Sequence, residues 1–445
     1  MREGKTMEIN TDVLVVGTGA AGLFCALHLP PSCRVLCISK EEAEQSDSFL
    51  AQGGICTLKD PSDYPAFFDD TMRAGHREND PDAVREMICN APDAIADLLA
   101  FGVSFDRDAH GFAYTREGAH STNRILHHDD LTGAEITGTL LRCAQQRANI
   151  TLLPHTTMLD IVLQDDACTG AVVRDEKGQI FAVSAKAVVW ATGGIGGLFA
   201  HSTNYPHITA DALAIALTHG IAVRDVSYIQ IHPTVLYATS PGRRFLISES
   251  VRGEGAVLLN AAGNRFCDEL QPRDVVTANI VRQMRSDGTD HVFLSLAHLD
   301  TERIAARFPN IFRTCLQQGI DMRTQPIPVT PAQHYYMGGV RTDTYGRTSC
   351  KRLYAVGEAG CNGVHGRNRL ASNSLLESLV FAKRAAQDIA AALTDTPSRA
   401  LHVDGAPYQD AQALRARYKH IVMEAIQKGD AQFYDQWCHD ADTNG

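Results

Sequence analysis

Four side chains in glycine- or proline-marked stretches, His232, Arg273, His334 and Arg369, have the chemistry to grip an anionic ligand at more than one point. Arginine presents a planar fork of donors that matches a carboxylate, and histidine adds a single directed donor. A ligand with a carboxylate at each end needs such a clamp twice over. Glu249 and Arg252, in Ser248-Glu-Ser-Val-Arg-Gly253, read by themselves as a structural ion pair. The twelve cysteines are scattered, with no CxxC pair and no cluster, so neither a metal site nor a disulfide framework is signalled.

These groups need a scaffold, and its first element is a phosphate cradle. The apolar run Thr11–Val16 leads directly into Gly17-Thr-Gly-Ala-Ala-Gly22, a helical pattern follows to Pro30, and Arg34–Lys40 reads as a second strand. This is strand–GxGxxG–helix–strand. The first glycine permits the tight turn, the second lets backbone approach a pyrophosphate, and the third lets helix pack on strand. The acid that usually receives a ribose after the second strand is replaced here by Ser39-Lys40.

Two later fragments have the same grammar: Ala187–Ala191 running into Thr192-Gly-Gly194, and Leu353–Glu358 ending in Gly-Glu. Strand-plus-glycine units near the start, middle and end predict one Rossmann-like α/β nucleotide-binding domain interrupted by an α+β cap. The expected division is 1–225 and 336–395 for the nucleotide domain, 226–335 for the cap, and 396–445 for a short C-terminal helical remnant with a frayed tail. A helix over 372–386 should start on a Ser/Asn cap. A cofactor contacted from several strand ends suits FAD better than NAD.

Composition sets outer limits. The 445 residues are 44% hydrophobic and 21% charged, as in ordinary globular chains, with a net charge of −11. No basic field exists for nucleic acid, and no purely apolar run is long enough to cross a membrane. The apolar stretch from Val13 to Leu29 is broken by glycines and reads as structure rather than a signal peptide. Reduced thiols and the lack of a leader point to the cytoplasm.

The blocks GTGAAG (17–22), SFLAQGGI (48–55), TREGAHS (115–121), HHDDLTG (127–133), IQIHPTVLY (229–237), LISESVRGEGA (246–256), PRDVVTANI (272–280), PVTPAQHYYMGGV (328–340) and HGRNRLASNSLLE (365–377) resemble the succinate dehydrogenase/fumarate reductase flavoprotein family, in family order. The resemblance implies FAD, contacted by Gly17, Gly19, Ala20, Ala21, Gly22, Ser39, Lys40, Ser48, Ala51, Gln52, Gly53, Gly54, Asp211, Glu358, Ser374 and Leu375. Asp211 stands in Thr-Ala-Asp-Ala where relatives often have Thr-Gly-Asp-Gly, which puts its loop geometry in question. The resemblance also implies that His232, Ser248, His334, Arg369 and Ser372 bind substrate carboxylates, that Arg273 transfers a proton, and that Glu249 and Arg252 form the proton pathway.

Two positions select a branch. Family members that link FAD covalently do so through a histidine where this chain has Asp47, so FAD is expected to be non-covalent. Glu117 stands where the dicarboxylate enzymes carry no acid, and a carboxylate there can pair with an amino group. The resemblance therefore implies oxidation of L-aspartate to iminoaspartate, with O2 (giving H2O2) or fumarate as acceptor, feeding quinolinate and NAD synthesis. Quinolinate synthase is then a candidate partner. A soluble fumarate reductase or succinate dehydrogenase flavoprotein subunit is the alternative. The family's longer members carry a larger C-terminal helical region than the roughly 50 residues that follow position 395 here.

Overall fold

The computed structural model describes residues 8–239, 242–397, 399, 401 and 403–438. The sequence-defined strands come together in one five-stranded parallel sheet. Its order is Leu353–Ala355, Ala187–Trp190, Val13–Val16, Val35–Ile38, Ile150–Leu153. The first strand pairs in register with both neighbours, Val13 opposite Val35 on one side and Ala187 on the other. Three fragments far apart in sequence, Val13–Val16, Ala187–Trp190 and Leu353–Ala355, thus end side by side at the carboxyl end of the sheet, where a ligand can touch all of them.

The strands are apolar on both faces because both faces are covered. Val13 and Val15 enter a core built with the helices Ala20–His28, Thr132–Gln145 and Asn373–Ala392. Leu14 and Val16 enter a second core on the opposite face, with the helices Asp211–Thr218 and Ala411–Gly429. This is the pattern expected of a parallel sheet between helical layers.

The C-terminal region is short and helical, as expected, and it packs on the nucleotide domain. Leu414, Tyr418, Val422, Met423 and Ile426 of the 19-residue helix Ala411–Gly429 are buried in the second core. The Tyr408 hydroxyl donates to Asp160, which also pairs with His219. A shorter helix follows over Ala431–Trp437. The tail expected to fray, 439–445, lies outside the described residues.

Within the stretch read as a cap, an antiparallel sheet runs in the order Ile229–Leu236, Ile327–Tyr336, Val292–Ser295, Val257–Leu259. It has its own apolar core, including Leu258, Val276, Ile280, Leu294, Phe308 and Val329. The helix Arg273–Asp287 packs against it and projects its first residue, Arg273, into the cleft below. No helix among the described residues is long and apolar enough to cross a membrane.

Candidate active site

One cavity runs from the GxGxxG turn to the underside of the cap. The glycines shape its closed end. Gly17 has φ +117°, and a Cβ there would lie 2.0 Å from the Ala191 carbonyl oxygen, so the ends of the strands Val13–Val16 and Ala187–Trp190 converge only around glycine. A Cβ on Gly22 would lie 2.0 Å from the Gly17 carbonyl, which places the helix hard against the turn. Gly17, Gly19, Ala21, Ser39, Lys40, Ser48, Ala51, Gln52, Gly53, Gly54, Asp211, Glu358, Ser374 and Leu375 all bound the cavity.

Several of the expected contacts have protein partners of their own. Ala20 and Gly22 do not bound the cavity: the Ala20 amide donates to Ser48 Oγ at 3.1 Å, and Gly22 serves packing. Ser39 turns its hydroxyl to the Glu41 carbonyl at 2.8 Å. Lys40 forms a 2.6 Å ion pair with Asp211 and donates to Thr209 and the His207 carbonyl, so two expected cofactor contacts are engaged with each other. Ala210 takes the left-handed φ of +63° where relatives often place glycine, and Asp211 then opens its helix. Ser372 does occupy the cap position of the helix, which runs on to Ala392, but its φ is +61° and its hydroxyl does not cap. It is used elsewhere.

That use is Glu117. The Ser372 hydroxyl donates to Glu117 Oε2 at 2.5 Å and receives the Gly54 amide at 3.2 Å. The Ser250 hydroxyl donates to Glu117 Oε1 at 2.7 Å. Glu117 is only 3% exposed, and a Cβ on Gly53 would sit 2.6 Å from its Oε1. This carboxylate is fixed in the cavity wall, not a free loop acid.

Around it stand the cationic groups. Arg273 donates through Nε to Glu249 Oε2 at 2.5 Å and through Nη1 to Gln230 Oε1 at 2.8 Å. Arg369 donates to the same Gln230 oxygen at 3.3 Å and to Ser374 Oγ at 2.6 Å, with its guanidinium over the Tyr335 ring. Of the five N–H donors on each guanidinium, three remain for a ligand. Burial together with the charge of Arg273 pushes Arg369 down to about 10, so it stays cationic at neutral pH. Burial alone would raise the Glu249 carboxyl, but Arg273 and Arg252 outweigh it and hold the group ionised below the usual range.

His334 bounds the cavity and shares a hydrogen with Thr203 Oγ1 at 2.7 Å. His232 does not bound it. Its ring is fully buried, edge-on to His334 with centroids 5.0 Å apart. The Thr234 amide donates to His232 Nδ1, which assigns the ring hydrogen to Nε2, a buried atom with no protein partner. Burial first, and the positive charge of Arg273 second, keep both imidazoles neutral. Arg252 also stands back from the cavity, donating to the Glu269 carbonyl and lying 3.5 Å from Glu249. Ser248 bounds the cavity and caps the short helix Glu249–Gly253 by accepting the Ser250 amide.

Sequence reading passed over several groups. Gln230 carries no signal of its own, yet its oxygen is shared by the two cavity arginines. Ser46, Asp47, Gln52, Thr192 and Asn204 bound the cavity, each has a buried side-chain oxygen without a protein partner, and only Gln52 among them was anticipated as a contact. Buried polar atoms are normally paired, so this row calls for a polar ligand. The glycine cradle and this row fit a dinucleotide-sized group. Burial pushes the Asp47 carboxyl up to about 7. Burial and Asp47 together push Glu358 up to about 8.

Residues 12–375 match the sequence family described as FAD binding domain. The L-aspartate oxidase of Clostridium perfringens is 46% identical over 379 residues, spanning 85% of this chain and 86% of that protein. That of Clostridium acetobutylicum is 47% identical over 385 residues, spanning 86% and 88%. The chain belongs to the L-aspartate oxidase family of FAD-binding flavoproteins. Its cofactor is FAD, and it is a flavin-dependent oxidoreductase. A flavoprotein variant of the E. coli quinol fumarate reductase superposes with a TM-score of 0.84 at 27% identity, covering 97% of this chain and 83% of that one. The wider architecture is therefore shared with the fumarate reductases, while sequence identity is higher to the oxidases.

Proposed function

We propose that this chain oxidises L-aspartate to iminoaspartate, the first step of a route through quinolinate to NAD. The observation that carries the reading is Glu117: a buried carboxylate, oriented by two hydroxyls and not paired with an arginine as Glu249 is, in a cleft that also holds Arg273, Arg369 and His334. Dicarboxylates such as succinate offer nothing for it to pair with. An α-ammonium group does.

The roles follow from the geometry. Arg369 and His334 take one carboxylate, with Ser248 and Ser372 at the margins of the clamp and the neutral His232 behind His334. Arg273 takes the other and moves a proton at the substrate, with Glu249 holding its Nε and Arg252 supporting Glu249 from the protein side. The chemistry supplied by bound FAD is acceptance of hydride from substrate C2 and delivery of electrons to O2, giving H2O2, or to fumarate, giving succinate. The cap excludes water, which strengthens every charge interaction beneath it.

Ser46, Asp47, Thr192 and Asn204 join the expected FAD contacts as further partners. Asp47 supports non-covalent binding, since it replaces the linking histidine. Iminoaspartate hydrolyses readily in water, so an enzyme that consumes it promptly is required, and quinolinate synthase is the partner proposed. Twelve free cysteines favour a reducing, cytoplasmic setting.

The test is product analysis. Holoenzyme with L-aspartate in air should release ammonia and H2O2 in equal amounts, with oxaloacetate from imine hydrolysis. Turnover of succinate with no ammonia from aspartate would favour the fumarate reductase reading instead.

A further inference from the structure

Glu117 is held from two sides that differ in origin. Ser372 belongs to the floor, at the start of the helix Asn373–Ala392. Ser250 belongs to the short helix Glu249–Gly253 on the cap side. The neighbouring residue Glu249 grips Arg273, so two consecutive residues of one helical turn orient two groups of opposite charge.

The hydrogen-bond directions are determined. The Ser248 hydroxyl donates to Ser250 Oγ at 3.2 Å, and the Ser250 hydroxyl donates onward to Glu117 Oε1. Ser250 is 4% exposed, so water does not substitute for it. Each Glu117 oxygen thus receives one protein hydroxyl and keeps a free lone pair in a fixed direction. Close packing reinforces this: a Cβ on Gly253, three residues along the same turn, would come within 2.6 Å of the Arg116 carbonyl. The turn therefore lies against the backbone that carries Glu117.

We propose that Ser250 is a specificity-determining positioning residue, which aims Glu117 at the substrate amino group and makes amino-group recognition depend on the cap being seated. This rests on the reading of Glu117 as the ammonium partner. Without the Ser250 donor, Glu117 keeps only the Ser372 bond and can rotate about its remaining torsions. The loss falls on substrates with an amino group, while the carboxylate clamp of Arg369 and His334 is built from other elements.

The experiment compares the holoenzymes of wild type, Ser250→Ala, Ser250→Thr, Glu117→Gln and the double variant Glu117→Gln/Ser250→Ala. The quantity read is kcat/KM for L-aspartate divided by kcat/KM for viologen-coupled fumarate reduction. A hydrogen bond to a charged group supports roughly a tenfold effect or more. Ser250→Ala should lower the ratio by about tenfold, Ser250→Thr should restore most of it, and Ser250→Ala should add little on top of Glu117→Gln. A ratio unchanged in Ser250→Ala, or a loss of equal size in the Glu117→Gln background, overturns the positioning role. If Glu117→Gln itself leaves the ratio unchanged, the reading of Glu117 fails and the inference falls with it. If Glu117→Gln lowers the ratio and Ser250→Ala does not, only the inference fails.

Discussion

Arg273 and Glu249 are joined at 2.5 Å beneath the cap, an ion pair buried on both sides and facing a cavity that also holds Arg369. Like charges at Arg273 and Arg369 are kept close by the shared carbonyl of Gln230. The arrangement sets two guanidinium groups where a dianionic substrate would sit, and pairs only Arg273 of the two with a buried carboxylate, Glu249.

Arg273→Leu should therefore abolish turnover without emptying the site of FAD. General acid–base groups supply about 10²–10⁴-fold, and a carboxylate contact is lost as well. Steady-state assays should show at least a hundredfold loss in both aspartate oxidation and fumarate reduction, with flavin content by absorbance close to wild type. A loss below about tenfold would remove Arg273 from the chemistry.

The cradle predicts a second result. Gly19 opens the helix Ala20–His28, and even a Cβ there would come within 3.2 Å of Ser48 Oγ. Gly19→Val should cut FAD retention by at least tenfold while leaving the apoprotein folded by circular dichroism. Wild-type protein denatured in acid should release all of its flavin, in keeping with Asp47. Flavin that stays with the precipitate would contradict non-covalent binding.

A pH effect follows from the two raised carboxyls. Asp47 and Glu358 sit at about 7 and about 8 in the folded apoprotein, against roughly 4 in an unfolded chain. A folded value raised above the unfolded one means stability that is intact below about pH 4 and lost as pH climbs through 7 to 8. Asp47→Asn keeps an acceptor for the Tyr205 amide but cannot ionise. Compared with wild type, the variant apoprotein should gain about 1–3 kcal/mol at pH 8 over pH 5, read as a Tm difference of several degrees. Equal slopes of Tm against pH for the two proteins would exclude ionisation of Asp47 as a source of strain.

How far the sequence disclosed this arrangement depends on range. The run Thr11–Gly22 carries its own explanation, because strand, turn and helix follow one another and the glycine spacing is local. The fragments at 187–194 and 353–358 could be assigned to the same sheet because each repeats that grammar. The Glu117 contacts could not be read. Ser250 and Ser372 lie 133 and 255 residues away from it, and neither spacing predicts that both hydroxyls converge on one carboxylate. Ser372 even carried a misleading local signal, since a serine before Asn373 reads as a helix cap. Gln230 was invisible for a different reason: glutamine marks no chemistry until two arginines meet at its oxygen.

Glu117→Gln retains size and loses charge, so it should separate substrates. Removing one member of a buried charge pair costs about 2–5 kcal/mol. The expected fall in kcat/KM for L-aspartate is at least about thirtyfold, with fumarate reduction affected far less. Parallel losses in both activities would make Glu117 a structural or flavin-tuning group.

This site should oxidise an amino dicarboxylate in preference to a plain one, and anaerobic reduction of the flavin tests that preference directly. Holoenzyme is mixed with L-aspartate, and separately with succinate at the same concentration, while flavin absorbance is followed through the first turnover. Rapid bleaching with L-aspartate and slow or absent bleaching with succinate is the predicted result. Bleaching by succinate at an equal or greater rate would contradict it.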